Sequence, residues 1–377
     1  MARLYPHRDA EGFDQVGLHI GDPDHDRVSG VLVSLDVTQA VLDEAREVGA
    51  NLIIAHHPLL FSPLQRLTPT TASGRLALMA VRQGCAVLAA HTNVDKAADG
   101  TSYPAARLLG LTDLRPIRPV LPDPAEELVK IVTFVPGAHT EAVIRAMATH
   151  GAGVIGDYTE CAFTQPGTGR FRPGAGTTPA IGSPGEPQQV AEDRVEMVLR
   201  RKHMDAVLNH LRDIHPYEEV PCDLYPLITA APPPSRGLGL IGTLPRPLTL
   251  AAIARTLATG LPASHLRLAT EDPDRQVRTV AVCGGAGDSL IRDLLGADGK
   301  PTVDVFITGD LKHHPVLDAL CMGLSLIDAG HFATENPAMD DVVTNLEHHR
   351  EWLELTAPIH RSTIATDPWV GWDTDHR

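Results

Sequence analysis

Six side chains able to ligate a metal ion fall into three short clusters, each placed just after an apolar run. His56 and His57 follow LIIA (52–55), His91 and Asp95 follow VLAA (87–90), and His331 and Glu335 follow LSLIDAG (324–330). Neutral imidazole and carboxylate are ligands that suit divalent first-row cations. Adjacent side chains on an extended segment face opposite ways. The His56-His57 pair therefore chelates one ion poorly but can serve two neighbouring ions, and Pro58 keeps His57 out of helical geometry. His91/Asp95 and His331/Glu335 share a spacing of four, which on a helix is a rotation of only about 40° and puts both groups on one face. A carboxylate placed in this way can bridge two cations while an imidazole binds one of them.

Each cluster also has an ordinary reading. A His-His pair is common in loops without metal, Asn93 or Asp95 can close an Asx turn, and Glu335 can be a simple first-turn carboxylate. The argument for a metal site is that all three clusters fall at strand ends. GDLKHH (309–314) adds Asp310, Lys312, His313 and His314, whose expected role is support of ligands or contact with a substrate rather than ligation. Asp36 lines the same crevice or serves a strand-to-helix turn. CGGAGDSL (283–290) is a glycine-rich turn that either packs tightly or approaches a phosphate.

The elements that must position these groups can be read from the apolar pattern. VSGVLVSLD (28–36), NLIIA (51–55), AVLAA (86–90), RTVAVC (278–283), TVDVFIT (302–308) and LSLID (324–328) read as buried strands. Helical stretches lie near 38–50, 72–84, 287–295 and 315–322, with Thr38 as an N-cap. This alternation predicts an α/β domain with a largely parallel sheet, whose functional crevice lies beyond the carboxyl ends of the strands. In the middle, strands at 128–135 and 192–200 and helices at 140–151 and 203–216 predict a βαββαβ-type unit. The expected domains are 1–125 with 233–377, and an insert at 126–231, followed by a proline-stiffened linker at 231–239. The stretch 151–189 is rich in Gly, Pro and Thr, and 165–187 is open to disorder on composition alone.

Composition narrows the function classes. The chain has 377 residues, 43% hydrophobic and 21% charged, with a formal net charge of −15. That acidity repels phosphate backbones and anionic lipids, and no basic patch offsets it, so neither nucleic acid nor membrane is an expected partner. The five dispersed cysteines (Cys85, Cys161, Cys222, Cys283, Cys321) read as reduced thiols. No secretory apolar region opens the chain and no apolar stretch reaches about 18 residues, so the expected location is cytoplasmic. There are 19 histidines against 4% aromatics. Many, including His7, His25, His348, His349 and His376, sit in polar or terminal stretches, and the acid run 22–26 reads as a solvated loop. No Gly-x-Ser-x-Gly or Cys/His nucleophile arrangement is present.

NLIIAHHPLLF, AHTNVD, TGDLKHH and DAGHFATE, with FDQVGLHIGD (13–22) and LDVT (35–38), resemble the family of dinuclear-metal-centre hexameric proteins, the GTP cyclohydrolase 1 type 2 homologs. GAGVIGDYTECAF and IHPYEEVPCDLYPL resemble the ferredoxin-like, PII/CutA-like insert of its longer members. The resemblance implies a split α/β domain with mixed and parallel sheets plus that α+β insert, and a toroidal homohexamer with its sites facing an internal cavity. It further implies two divalent ions per subunit (Zn, Fe or Mn), held by His56, His57, Asp95, His331 and a bridging, catalytic Glu335, with His91 close by. Two departures stand out. The chain opens near the usual Tyr-Pro, so a first helix of relatives is expected to be missing, and His313 stands where an aromatic is usual. Paired cations activate water near neutral pH. The expected activity is thus hydrolysis of a nucleotide-like small molecule, with a non-catalytic metal-binding, trafficking or regulatory scaffold as the alternative.

Overall fold

The computed structural model describes residues 1–24, 27–121, 123–228, 234–263 and 265–370. His25 and Asp26 of the acid run, residues 231–233 at the linker start, and His376 lie outside these. The chain divides into two compact units, Met1–Val120 with Pro233–Arg377, and Leu121–Pro232.

The larger unit is built on two sheets. In the first, the strand order is Gly17–Ile20, Ala86–Ala89, Leu52–Ala55, Val31–Ser34, Ile359–Arg361. Only Gly17–Ile20 runs antiparallel to its neighbour. Val31–Ser34 is buried throughout, as expected of a parallel strand covered on both faces. One face packs Leu32, Ile53 and Val87 against Val41, Leu42 and Ala45 of the helix Gln39–Glu47 and against Ala80. The Thr38 hydroxyl caps that helix, accepting from the Val41 amide at 3.2 Å. The other face packs Val31, Val33 and Ile54 against Met339, Val342 and Leu346 of the helix Ala338–His348. Each fully buried aliphatic side chain of this kind contributes on the order of 1.5–3 kcal/mol.

The second sheet has the order Arg267–Ala269, Ser325–Asp328, Val305–Gly309, Gln276–Ala286, Gly237–Thr249, Thr112–Pro119. Its three middle members, from Ser325–Asp328 to Gln276–Ala286, are parallel. The strand Gly237–Thr249, by contrast, lies antiparallel to both its neighbours, and Arg267–Ala269 is antiparallel to Ser325–Asp328. The first sheet is thus largely parallel, as expected, and the second is mixed; local apolar patterning marks a strand without fixing its direction. The stretch expected as a helix near 287–295 is a 3-10 helix, Asp288–Leu294.

The smaller unit runs strand, helix, strand, strand, helix, strand. Its antiparallel sheet has the order Ala162–Phe171, Gln188–Arg200, Leu128–Pro136, Cys222–Pro226. The helices Thr140–Thr149 and Met204–Ile214 cover one face, with Val143, Met147, Val207 and Leu211 packed on Ile131, Val195, Met197 and Leu199. The possibility of disorder over 165–187 is corrected for its first part, because residues 165–171 pair in register from Gln165 opposite Arg194 to Phe171 opposite Gln188. Glycine and proline disguise this strand in the sequence, and Pro166 is accommodated because the strand is an edge.

Candidate metal centre

The parallel strands of both sheets in the larger unit end at one place. Beyond Leu52–Ala55 the ladder continues for two residues, the amides of His56 and His57 donating to the carbonyls of Ser34 (3.1 Å) and Leu35 (2.9 Å), which fixes both backbones. His91 and Asp95 bracket the short helix Thr92–Asp95 after Ala86–Ala89. His331 and Glu335 open and close the helix His331–Glu335, reached from Ser325–Asp328. That helix is wedged between the two sheets, with Phe332 in the core of the first and Ala333 in the core of the second. The wedge brings Glu335 to His56 and His57.

Three sets of side chains offer ligand atoms within 4.8 Å of one another: His57, His331 and Glu335; His56, Asp95 and Glu335; and His56, His57 and His91. Glu335 divides its oxygens between two of these sets. Oε2 is 3.0 Å from the Nε2 atoms of both His57 and His331. Oε1 is 3.7 Å from Nε2 of His56, which is itself 3.5 Å from Oδ1 of Asp95. Despite these approaches, His56 Nε2 and Glu335 Oε2 are buried polar atoms with no properly directed hydrogen bond among the described residues. Buried polar atoms are seldom left so, and imidazoles and carboxylates that converge with two of their atoms left unsatisfied fit divalent cations. The cluster can hold metal ions.

The far side of each ring is fixed. Nδ1 of His56 meets the Ala90 carbonyl at 3.0 Å, and Nδ1 of His57 meets Asp36 Oδ1 at 2.7 Å. Nδ1 of His331 meets Asp310 Oδ2 at 2.7 Å, and Nδ1 of His91 meets Asp14 Oδ1 at 2.8 Å. With Nδ1–H donating to oxygen, all four rings present an Nε2 lone pair to the cluster, the arrangement that orients metal-binding imidazoles. His91 stands edge-on to His56 and His57, at centroid distances of 5.1 and 5.7 Å. Asp310 adopts a left-handed backbone, φ 52°, next to His331. This conformation is uncommon outside glycine, and Asp is one of the residues that tolerates it.

The electrostatics match this crowding. Burial pushes the Glu335 carboxyl up, but the charge of His56 and the close approach of the His331 and His57 rings overcome that and hold it well below the usual range. Asp95 is pushed up by burial and by the Glu335 charge, against the pull of His56. For His57, burial favours the neutral ring, yet Asp36 and Glu335 raise it to about 10. His331 is raised to about 9 by Glu335 and Asp310 against the same burial penalty. Without cations, Glu335 favours the charged forms of His57 and His331, and they in turn favour its carboxylate.

Several features were absent from the sequence reading. Asp14 also accepts from the amide and hydroxyl of Thr92 (3.0 and 2.5 Å), locking the loop that carries His91. Thr366 donates its hydroxyl to Asp36. Gly285 has φ 66°, and a Cβ there would lie 2.0 Å from Glu335 Oε1, so only glycine permits this approach. Lys312, by contrast, is exposed and paired with Asp288 at 3.3 Å. His313 and His314 pack on one another at the exposed start of the helix His313–Cys321. None of these three joins the cluster. A cavity of about 530 Å³ opens beside His57 and His331, lined also by Asp36, Arg267, Asp310, Thr366 and Trp369. Its size is that of small-molecule sites. No helix among the described residues is long and apolar enough to cross a membrane.

The family model of Duf34/NIF3 (NGG1p interacting factor 3) matches residues 1–368. A Mycobacterium tuberculosis protein named GTP cyclohydrolase 1 type 2 homolog is 42% identical over 371 residues, covering 97% of this chain and 94% of its own. A Bacillus subtilis protein of the same name is 38% identical over 320 residues, covering 85% and 83%. Among solved structures, a Bacillus cereus protein related to NIF3 superposes with a TM-score of 0.68 at 37% identity, covering 98% of this chain and 96% of its own. A Staphylococcus aureus protein does so with a TM-score of 0.77 at 26% identity, covering 98% and 95%.

Proposed function

The chain belongs to the Duf34/NIF3 family, and on that premise we propose that it is a dinuclear divalent-metal protein that hydrolyses a nucleotide-like small molecule. The observation that carries the proposal is the division of Glu335, one oxygen toward His57 and His331 and the other toward His56 and Asp95, with its Oε2 and His56 Nε2 left without hydrogen bonds. His57, His331 and Glu335 would hold one ion, and His56, Asp95 and Glu335 the other, with His91 beside them. Such ions supply Lewis-acid activation of water and of a substrate oxygen.

The chain's own residues do the rest. Asp36, Asp310 and the Ala90 carbonyl hold the three ligating rings in one tautomer. The adjoining cavity seats the substrate, and Arg267, partly neutralised by Asp328, gives it positive charge for an anionic group. The chain order and antiparallel sheet of residues 121–232 support reading that unit as the ferredoxin-like, PII/CutA-like insert of longer relatives.

The test is a substrate screen with nucleotides on protein loaded with Zn²⁺, Mn²⁺ or Fe²⁺, beside the metal-free protein and Glu335→Gln. Turnover in the loaded protein that falls at least about 100-fold in the variant supports the proposal. A variant that keeps the wild-type rate refutes catalysis at this centre, and fewer than one ion bound per chain refutes the dinuclear reading. Two ions retained with no turnover across the screen would leave a metal-binding scaffold.

A further inference from the structure

The smaller unit contains a cavity of about 710 Å³ on the sheet face opposite its two helices, within the range of small-molecule sites. Its floor comes from the edge strand Ala162–Phe171 and the neighbouring Gln188–Arg200. Gly167 and Gly169 leave that floor without side chains. A Cβ at Gly169 would lie 2.0 Å from the Glu192 carboxylate, which therefore rests directly over the bare backbone. The walls are aromatic. Phe171 and Tyr217 lie 6.3 Å apart, centroid to centroid, with their planes tilted by 54°, and Phe134 lines the same space.

The charges are arranged for a cation. Tyr217 donates its hydroxyl to Glu192 Oε1 at 2.7 Å, and burial together with the Glu192 charge pushes that hydroxyl up, keeping it a donor. Glu192, Glu218 and Glu219 line the cavity against Arg170 and Arg194. Arg194 is already satisfied, since its Nε donates to Glu196 at 2.7 Å and its guanidinium lies over Phe134 at 5.7 Å. Three carboxylates against two guanidinium groups leave the lining one negative charge in excess beside aromatic rings, the combination that attracts organic cations.

We propose that this cavity is a binding site for a planar organic cation, an amidine or amino-substituted ring, resting against the paired rings of Phe171 and Tyr217 with its N–H groups on Glu192. The proposal is independent of the metal centre, none of whose residues lies in this unit.

The test uses the full chain and three probes of one shape, benzamidine, benzamide and benzoate, with binding followed by calorimetry and saturation-transfer NMR. Benzamidine should bind at least about tenfold tighter than benzoate. Glu192→Gln should remove that preference, and Phe171→Ala should weaken benzamidine. Gly169→Val should abolish binding, with thermal midpoints confirming that each variant is folded. Glu335→Gln should leave benzamidine affinity unchanged. Binding of none of the three probes, or benzoate equal to or tighter than benzamidine, would overturn the proposal. So would a preference that survives unchanged in Glu192→Gln and Phe171→Ala.

Discussion

Replacing Asp36 by Asn tests whether the cluster is organised as a metal site. The carboxylate meets His57 Nδ1 at 2.7 Å and is about one-third exposed, whereas Asp310 meets His331 Nδ1 at the same distance but is about half exposed. An Asn oxygen can still accept from Nδ1–H, so each substitution removes charge while leaving a hydrogen bond possible. Loss of such a partner typically lowers metal affinity about 10- to 100-fold, or roughly 1.4–2.7 kcal/mol. Solvent screens the more exposed carboxylate more strongly. Asp36→Asn should therefore fall toward the upper end of that range and Asp310→Asn toward the lower. The assay is competition for Zn²⁺ against a chelator at fixed pH and salt, with urea unfolding of the metal-free proteins as the control for folding. Affinities in both folded variants indistinguishable from wild type would refute the reasoning, as would a larger loss from Asp310→Asn.

The protonation of His57 and His331 sets a pH dependence. Their folded values of about 10 and about 9 lie above the ordinary 6.5, so the stabilisation they give the metal-free protein is full below about pH 6.5 and is lost as pH rises through 9 to 10. Metal-free protein should unfold at lower urea near pH 10 than near pH 7, and a flat profile would contradict the shifts. Cation binding near pH 7 must release these protons, so calorimetry in buffers of different ionisation enthalpy should report proton release, with affinity rising toward pH 9. Gly285→Ala forces a Cβ against Glu335 and a side chain into left-handed backbone; it should cost about 2–4 kcal/mol in urea unfolding and lower bound metal. Leu211→Ala, in the core of the smaller unit, should cost about 2–5 kcal/mol while leaving Zn²⁺ affinity at the centre unchanged.

The parts of the site legible in the sequence are those with local signals. An apolar run followed by His or Asp marks a strand and what it delivers, as with LIIA and His56-His57, and a spacing of four marks a shared helix face, as with His331 and Glu335. Asp14 was not legible because its contact with His91 spans 77 residues and it sits in a short polar stretch with no periodicity. Gly285 reads in the sequence as any turn glycine, because Glu335, which packs against it, lies 50 residues later. Lys312, His313 and His314 lay beside Asp310 in sequence, yet the helix that starts there turns them outward. Strand Ala162–Phe171 was hidden because ladder hydrogen bonds, rather than β-favouring side chains, hold it in place.

The wedged helix His331–Glu335 also fixes an order of events. His57 and His331 meet across 274 residues, so during synthesis the first three ligand positions leave the ribosome long before the last two. Until the wedge is made, His56, His57 and Asp95 have no Glu335 to share, and closing so long a loop carries an entropic cost that the packing of Ala338–His348 and the pairing of Ile359–Arg361 on the first sheet must offset. Ions that bind the closed centre and not the open chain shift that equilibrium, by about 2.7 kcal/mol when free metal is 100 times the dissociation constant. The cations would then act as a clasp, fastened last, on a domain whose two ends are made far apart in time.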